Sequence, residues 1–484
     1  MAEKLYIGWS EADITPVTDK LIPLNGQYYE RLTHEIQSRL KTVAVAFQSG
    51  DEYFLEASYD NVGIDQVFHQ HVCNLVHELE PEIAPEKIFF HAIHTHSGPS
   101  ARMRQVIGVY KPTVRDDILS ADEYVAFAAP IMAQNFVNAW HNRQPGGIIR
   151  GFGNARIGHC RRAVYANGKA EMYGDTTRQD FIGMEAGEDS GVEMLFTCDM
   201  NGKRTGMLLN VACPSQCMES TYKVSSDFAG ATRELLKKEY GEDFHTIYQI
   251  SPAGCQSPRD LVRHYTTEPD FWHESGLPVL AGRLRDAVKN ARTWEPEFTP
   301  ELKQSIVTVT LPRRRASYTD YMNAKAELAR LEAIMPEQEA FKAFCDETHA
   351  NEKLDGPGPY DSKLHHFVLI KNEQAVIRRY EQQDEIPNIS FQMNVIRLGD
   401  IAIADNPFEL YLYYGQNIKA RSKAQQTFLV QLAAGATPFS AGYLPSPDAE
   451  KFGGYGGLII NGQCDHHGGY KLADITVEEI NKLF

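Results

Sequence analysis

Three histidines, His91, His94 and His96, follow the apolar run Lys87-Ile88-Phe89-Phe90 and lead at once into Ser97-Gly98-Pro99. The apolar run reads as a buried strand, and Ser-Gly-Pro as a turn. Imidazoles gathered at the end of a buried strand, beside a turn, can converge on a metal ion or on a polar substrate. In an extended segment His94 and His96 share one face, because side chains alternate with period 2. Both can then ligate a metal, or one can ligate while the other hydrogen-bonds the substrate. The competing reading is a pair of buried, hydrogen-bonded histidines with a purely structural role.

Three more strand ends run into polar, turn-rich segments. Residues 207–212 lead to Cys213-Pro214-Ser215, residues 246–250 to Ser251-Pro252-Ala253-Gly254-Cys255-Gln256-Ser257-Pro258, and residues 401–404 to Asp405-Asn406-Pro407-Phe408-Glu409. In α/β sheets, ligands bind in the crevice beyond the carboxyl ends of the strands. Four such ends, carrying His, Cys, Ser and Glu, are expected to build one site from distant parts of the chain.

The elements that must position these ends are legible from periodicity. Residues 42–47 and 53–57 form a hairpin around Ser49-Gly50-Asp51. A helix over 65–80 and a strand over 87–93 complete a strand–helix–strand unit. Helices are expected over 121–142, 228–240, 279–291 and 408–420, and a short one over 476–484. Further hairpins span 192–211 and 388–404, with strands at 246–250 and 426–432. Charge and leucine recur at helical spacing over 318–380, interrupted by Asp355-Gly356-Pro357-Gly358-Pro359. This stretch is expected to be a helical insertion that roofs the pocket. With no repeat and no Pro/Gly/Ser-rich linker, the expectation is a single α/β domain over residues 1–484.

Bulk properties narrow the function. A net charge of -16 and a pI near 5.5 argue against nucleic acid or an anionic membrane as the main partner. The hydrophobic share of 43% supports a large buried core. No segment reaches the roughly 18–20 apolar residues of a membrane-spanning helix. The first residues contain no apolar signal region, so the expected location is cytoplasmic as the chain stands, or secreted or periplasmic if a leader was removed. Eight scattered cysteines without a Cys-x-x-Cys pair point to reduced thiols rather than a disulfide framework.

Glu11-Ala12-Asp13-Ile14-Thr15-Pro16 and His94-Thr95-His96-Ser97-Gly98-Pro99 resemble motifs of the neutral ceramidase family of zinc amidohydrolases. Later motifs keep the family's order. Its His-Pro element is matched by Cys213-Pro214, its Gly-Asp-x-Ser-Pro element by Gly254-Cys255-Gln256-Ser257-Pro258, and its Pro-Gly-Glu element by Pro407-Phe408-Glu409. Two tyrosine turns are matched at Gly442-Tyr443-Leu444-Pro445 and Gly454-Tyr455-Gly456. The resemblance implies mixed layered β-sheets flanked by helices and one Zn2+ per chain. The implied ligands are His94, Cys213, Glu409 and Tyr443. It places His96 and Arg161 at the scissile amide, Ser257 in catalysis and Tyr455 at the developing oxyanion. Against this stand local readings: Glu409 at a helix start favoured by the dipole, Ser257 as a turn serine, Arg161-Arg162 as a solvated pair, and His466-His467 in a surface loop.

Two positions depart from the family: a histidine ligand is Cys213, and an aspartate is Cys255. Zinc accepts a thiolate, which makes it a weaker Lewis acid. The leading expectation is therefore a zinc-dependent hydrolase of a linear N-acyl bond. Its substrate is a soluble acyl amide or ester more readily than ceramide, because the chain stops short of the family's immunoglobulin-like C-terminal domain. The alternatives are a non-catalytic ligand-binding relative with a degenerate metal site, an esterase or deacylase of acylated sugars, and, more weakly, a hydrolase using Cys213 or Cys255 as nucleophile.

Overall fold

Along the strand Lys41–Ser49, Val43, Val45 and Phe47 point to one side while Ala44 and Ala46 point to the other, and all five are fully buried. The next strands repeat the pattern, with Phe54 opposed to Leu55 and Phe89 opposed to Ile88 and Phe90. A sheet buried on both faces must be covered on both. The computed structural model, which describes residues 3–27, 31–101, 116–262, 273–351 and 365–484 (side chains of 348–351 excepted), supplies both covers.

The larger sheet runs in the order His245–Ile250, Arg204–Val211, Gly191–Asp199, Gln144–Asn154, Leu5–Asp13, Lys41–Ser49, Glu52–Tyr59, Ile88–Ala92. One face receives a second sheet, Leu302–Pro312, Asn388–Leu398, Ile401–Asp405 and Gln426–Val430. Phe47, Phe54, Phe89 and Ile247 meet Ile396, Ile403, Phe428 and Val430 in the dry layer between the sheets. The outer face of the first sheet carries the helices Gln66–Leu79 and Ala121–His141 at one end and Asp227–Tyr240 and Gly276–Lys289 at the other. The outer face of the second carries Leu412–Arg421 and His466–Leu483. The result is a layered mixed α/β fold. Among the described residues no helix is long and apolar enough to cross a membrane.

Most strand pairs are antiparallel, but within the two large sheets three are parallel crossovers through a helix: Glu52–Tyr59 with Ile88–Ala92, Arg204–Val211 with His245–Ile250, and Ile401–Asp405 with Gln426–Val430. Local chemistry starts two of the helices on the outer face of the first sheet. Asp65 caps the first by accepting from the Phe68 amide, and Ser120 and Glu123 form a capping box on the long helix Ala121–His141.

Several elements differ from their sequence expectation. The strand before the histidines stops at Ala92, and His94 takes a φ of 65°, so the two imidazoles converge through a turn rather than by strand alternation. The helix expected from 408 begins only at Leu412, because Glu409 and Leu410 pair in parallel with Tyr443 and Leu444. Glu409 therefore sits in a strand, not at a helix start. The last helix begins at His466, where Asp465 accepts from the His467 and Gly468 amides. His466 and His467 open this helix instead of lying in a loop, and His466 Nδ1 is 2.8 Å from Glu450. Over 318–380 the helices are Tyr318–Ile334, Glu337–Asn351 and His366–Gln382, and the Asp355–Pro359 interruption lies outside the described residues.

Buried His69, stacked on Phe90 at 4.8 Å, has its imidazole pKa pushed down to about 4 by desolvation. The folded state then binds fewer protons than the unfolded state between about pH 6.5 and 4. The neutral ring's contribution is present above that window and lost as pH falls through it, about 3 kcal/mol in all. Urea unfolding of His69→Leu should show a pH dependence weaker than wild type by about that amount across this window. Identical slopes would refute the assignment.

Candidate functional site

Backbone hydrogen bonds stitch the four strand-end segments together. The Ser215 amide donates to the Ile93 carbonyl at 3.1 Å, Gln431 to Ile250 at 3.0 Å, Gly254 to Leu410 at 2.9 Å, and Glu409 to Gly442 at 3.0 Å. These bonds bring the segment after each strand onto its neighbours, as the pattern of polar strand ends implied. Gly254 permits the closest approach, since a Cβ there would lie 2.3 Å from the Glu409 carbonyl oxygen.

His94 is held in the left-handed region, which costs an L-residue roughly 1–3 kcal/mol. Its Nδ1 lies 2.6 Å from the Val62 carbonyl. A carbonyl only accepts, so Nδ1 carries the proton and Nε2 keeps its lone pair. Nε2 sits 3.6 Å from Glu409 Oε2 and 3.2 Å from His96 Nε2. The Asn25-Gly26-Gln27 turn lies against the His96 ring. Gly26, at a φ of 109°, allows it, because a Cβ there would be 2.5 Å from His96 Cγ. Glu219 Oε2 is 3.4 Å from His96 Nδ1.

Arg161 forms the opposite wall. Its Nη2 donates to the Tyr443 hydroxyl and to the Gly254 carbonyl, each at 3.1 Å, and lies 3.9 Å from Glu409 Oε2. Its Nη1 reaches the Tyr173 hydroxyl at 3.5 Å, which also accepts from Gln216. Tyr443 adjoins Glu409, whose charge acts on its phenol. The Tyr455 ring is 5.6 Å from that of Tyr443, and its carbonyl accepts from Arg162. Arg161 and Arg162 are buried rather than a solvated pair, Arg162 being matched by Glu185 at 2.7 Å.

Burial sets the protonation states. Desolvation pushes the His94 imidazole down against the opposing pull of Glu409. It drives His96 well below the usual histidine range, helped by His94, Arg31 and Arg161. It raises the Tyr443 phenol, with Glu409 adding to the effect. Both imidazoles are thus neutral at neutral pH, and the phenol keeps its proton.

Cys213 behaves differently from the ligand the resemblance implies. It is fully buried, and its Sγ faces the Ile157 carbonyl at 3.6 Å and the Pro214 carbonyl at 3.4 Å. Only a protonated thiol is a donor to those oxygens. Burial, then the charge of Asp227, pushes its pKa well above the usual thiol range. The Ser257 hydroxyl accepts from the Arg259 amide at 3.0 Å, the turn role its Ser-Pro setting allows. Ser257 pairs with His159 in a short ladder, and the neighbouring Cys255 is buried with a raised thiol pKa.

The zinc that the resemblance implies would need His94, Cys213, Glu409 and Tyr443 to face one point. His94, Glu409 and Tyr443 adjoin one another, and the Val62 carbonyl orients His94 as a metal ligand is commonly oriented. The fourth donor is turned toward carbonyls, and the Arg161 guanidinium already adjoins the Glu409 and Tyr443 oxygens. Among the described residues no group of three or more His, Cys, Asp or Glu side chains is arranged to hold a metal ion. The four-ligand set therefore does not fit.

Sequence reasoning passed over Val62, Tyr173, Gln216 and Glu219. The last two lie in the polar run Ser215-Gln216-Cys217-Met218-Glu219 that continues from Cys213-Pro214, and the length of that run was the available signal.

Layers of helix, sheet, sheet and helix, with a cluster of polar side chains at the strand ends, place the molecule among mixed α/β proteins. Within that class it has the neutral ceramidase fold. It is similar to the crystal structure of neutral ceramidase from Pseudomonas aeruginosa, with a TM-score of 0.68 and 16% identity over 99% of this chain and 74% of that one. It is also similar to a ceramidase complexed with C2, with a TM-score of 0.69 and 15% identity over 99% and 75% of the two chains. No protein-family model and no curated protein sequence matches the chain.

Arg161→Met should leave Glu409 without its cation and lower unfolding free energy by about 3 kcal/mol. Adding Glu409→Gln should recover a substantial part, and additivity in that double-mutant cycle would refute the coupling. Alkylation of the native protein followed by mass spectrometry should modify Cys345, the one cysteine that is not buried, and spare Cys213 and Cys255 until the protein is unfolded.

Proposed function

We propose that this chain binds a small acyl compound in the pocket bordered by His94, His96, Arg161, Glu409, Tyr443 and Tyr455, as a relative of the ceramidases whose metal site has degenerated. The observation that carries this reading is the chain of contacts Arg161–Tyr443–Glu409. It balances a largely buried carboxylate with a resident guanidinium, and Cys213 keeps its proton among carbonyls. A carboxylate compensated in this way does not require a bound cation.

In this reading Arg161 and the Tyr455 hydroxyl supply donors to an acyl oxygen, and His96 meets another part of the same compound. Tyr222 packs against the apolar cluster of Leu331, Phe344, Phe367 and Ile370, so the helical excursion rests on the loop that carries Glu219. In this reading the excursion borders the pocket and selects the acyl group. The cysteines are free, in keeping with a reducing compartment.

Calorimetric titration of metal-stripped protein with soluble N-acyl amines should give saturable binding that Arg161→Met abolishes. Equilibrium dialysis against zinc should leave well under one ion per chain. Stoichiometric zinc that disappears in His94→Ala, accompanied by amide hydrolysis, would replace this reading with the metal amidohydrolase expected from the sequence. The Val62-oriented His94 is the observation that favours that second outcome.

A further inference from the structure

We propose that Arg313 and Arg379 form a binding site for a small oxyanion, a carboxylate or phosphate group, beside the segment that joins Tyr455 to the helix His466–Leu483. None of its groups belongs to the pocket described above, so the inference stands apart from the acyl-binding reading.

The two arginines come from distant elements. Arg313 follows the strand Leu302–Pro312, and its amide donates to the Pro387 carbonyl at 2.8 Å. Arg379 lies in the last turn of the helix His366–Gln382. Both are more than nine-tenths buried. Arg313 Nε and Arg379 Nη2 converge on one atom, Gln463 Oε1, each at 3.1 Å. An anionic oxygen at that point would answer both charges, whereas the amide oxygen offers only a dipole.

The other donors also meet uncharged groups. Arg313 Nη1 donates to the Ile386 carbonyl at 2.9 Å, and Arg379 donates to the Arg314 and Gly462 carbonyls, each at 3.1 Å. Arg314 adds a third guanidinium, which donates to the Gly457 carbonyl at 2.7 Å. Among the described residues no Asp or Glu lies within ion-pair distance of any of the three. Acids are not scarce, since the chain has 64 of them against 48 Lys and Arg. Cys464 follows Gln463, but burial pushes its thiol up to about 12, so it adds no negative charge near neutral pH. The imbalance registers on Arg379, which burial and then the charge of Arg313 push down to about 10.

A buried charge needs an opposite charge, and here the chain supplies none. The carbonyl partners hold the guanidiniums in place before a ligand arrives, which lowers the ordering cost of binding. Gln463 is half-buried, and its side chain is the part of the site that gives way. An oxyanion in place of the amide oxygen receives Arg313 Nε and Arg379 Nη2 as charge-assisted donors.

The decisive variant is Gln463→Glu, which keeps the shape and supplies a carboxylate from within the chain. Calorimetry of the wild-type protein with potassium phosphate and with potassium acetate, at an ionic strength held constant with potassium chloride, should show saturable binding of at least one. Which of the two binds more tightly identifies the head group. Gln463→Glu should abolish that binding and, in chloride alone, raise the thermal midpoint by a few degrees. Arg379→Gln should weaken the binding about tenfold, the scale of one charge-assisted hydrogen bond. Absence of saturable binding to wild type overturns the site. Binding that Gln463→Glu or Arg379→Gln retains in full also overturns it, because the ion is then held elsewhere. A Gln463→Glu protein no more stable than wild type shows that the arginines do not lack an anion, and likewise overturns the proposal. If Arg379→Gln does not fold, the wild-type and Gln463→Glu measurements decide.

Discussion

A carboxylate among neutral imidazoles, mostly withdrawn from water, must be answered by a positive charge, and in this protein Arg161 answers it. The same residue also holds the pocket together. Its backbone amide donates to the Cys255 carbonyl at 3.0 Å, and its guanidinium to the Gly254 carbonyl, so one residue ties the cation to the segment after His245–Ile250. Tyr443 completes the arrangement by accepting from Arg161 beside Glu409. Because the charge is balanced internally, the surrounding groups relax to their neutral forms under desolvation. His94, His96, Tyr443 and Cys213 all shift in the direction that removes charge.

The fold makes this burial achievable. Parallel crossovers aim the ends of Ile88–Ala92, Arg204–Val211, His245–Ile250 and Ile401–Asp405 at common ground, and antiparallel hairpins between them keep the sheet rigid. The loops pay in backbone conformation for meeting there. His94 at a φ of 65° and Asp227 at 55° are both L-residues in the left-handed region. Asp227 is held there by accepting from the Met218 and Phe228 amides, which fixes the far end of the Cys213–Glu219 stretch. Strain at both ends of one loop system, each offset by a specific acceptor, indicates that loop placement takes precedence over local preference.

Much of the scaffold was legible because it rests on periodicity. Alternation along 42–47 and 388–398 and helical spacing over 65–80 and 121–142 survive in the structure with small changes at their ends. Strand ends were less certain where a short ladder competes with a helix. Glu409-Leu410 has no periodic signal of its own, since its partner is supplied from Tyr443-Leu444 far along the chain. Motif order located His94, His96, Arg161, Glu409, Tyr443 and Tyr455, and the structure brings these into one neighbourhood. Side-chain direction was beyond reach. Nothing in Cys213-Pro214 says that the sulfur faces Ile157 and Pro214, and nothing in Ser257-Pro258 says that the hydroxyl closes a turn with Arg259. Those orientations depend on which carbonyls and amides tertiary packing leaves nearby.

The exchange of an imidazole for a thiol at position 213 has consequences beyond one coordination bond. A neutral imidazole offers a lone pair at no electrostatic cost, whereas a thiol must lose a proton before it becomes a strong donor. In a site this dry, with Asp227 nearby, that loss is opposed by both desolvation and like charge. Recruiting Cys213 to a cation would also break its contacts to two carbonyls and bring a divalent ion against the Arg161 guanidinium. Each step is unfavourable on its own, and they must occur together. The thiol is held by burial and by its two carbonyl neighbours, while the charge of Glu409 is answered by Arg161.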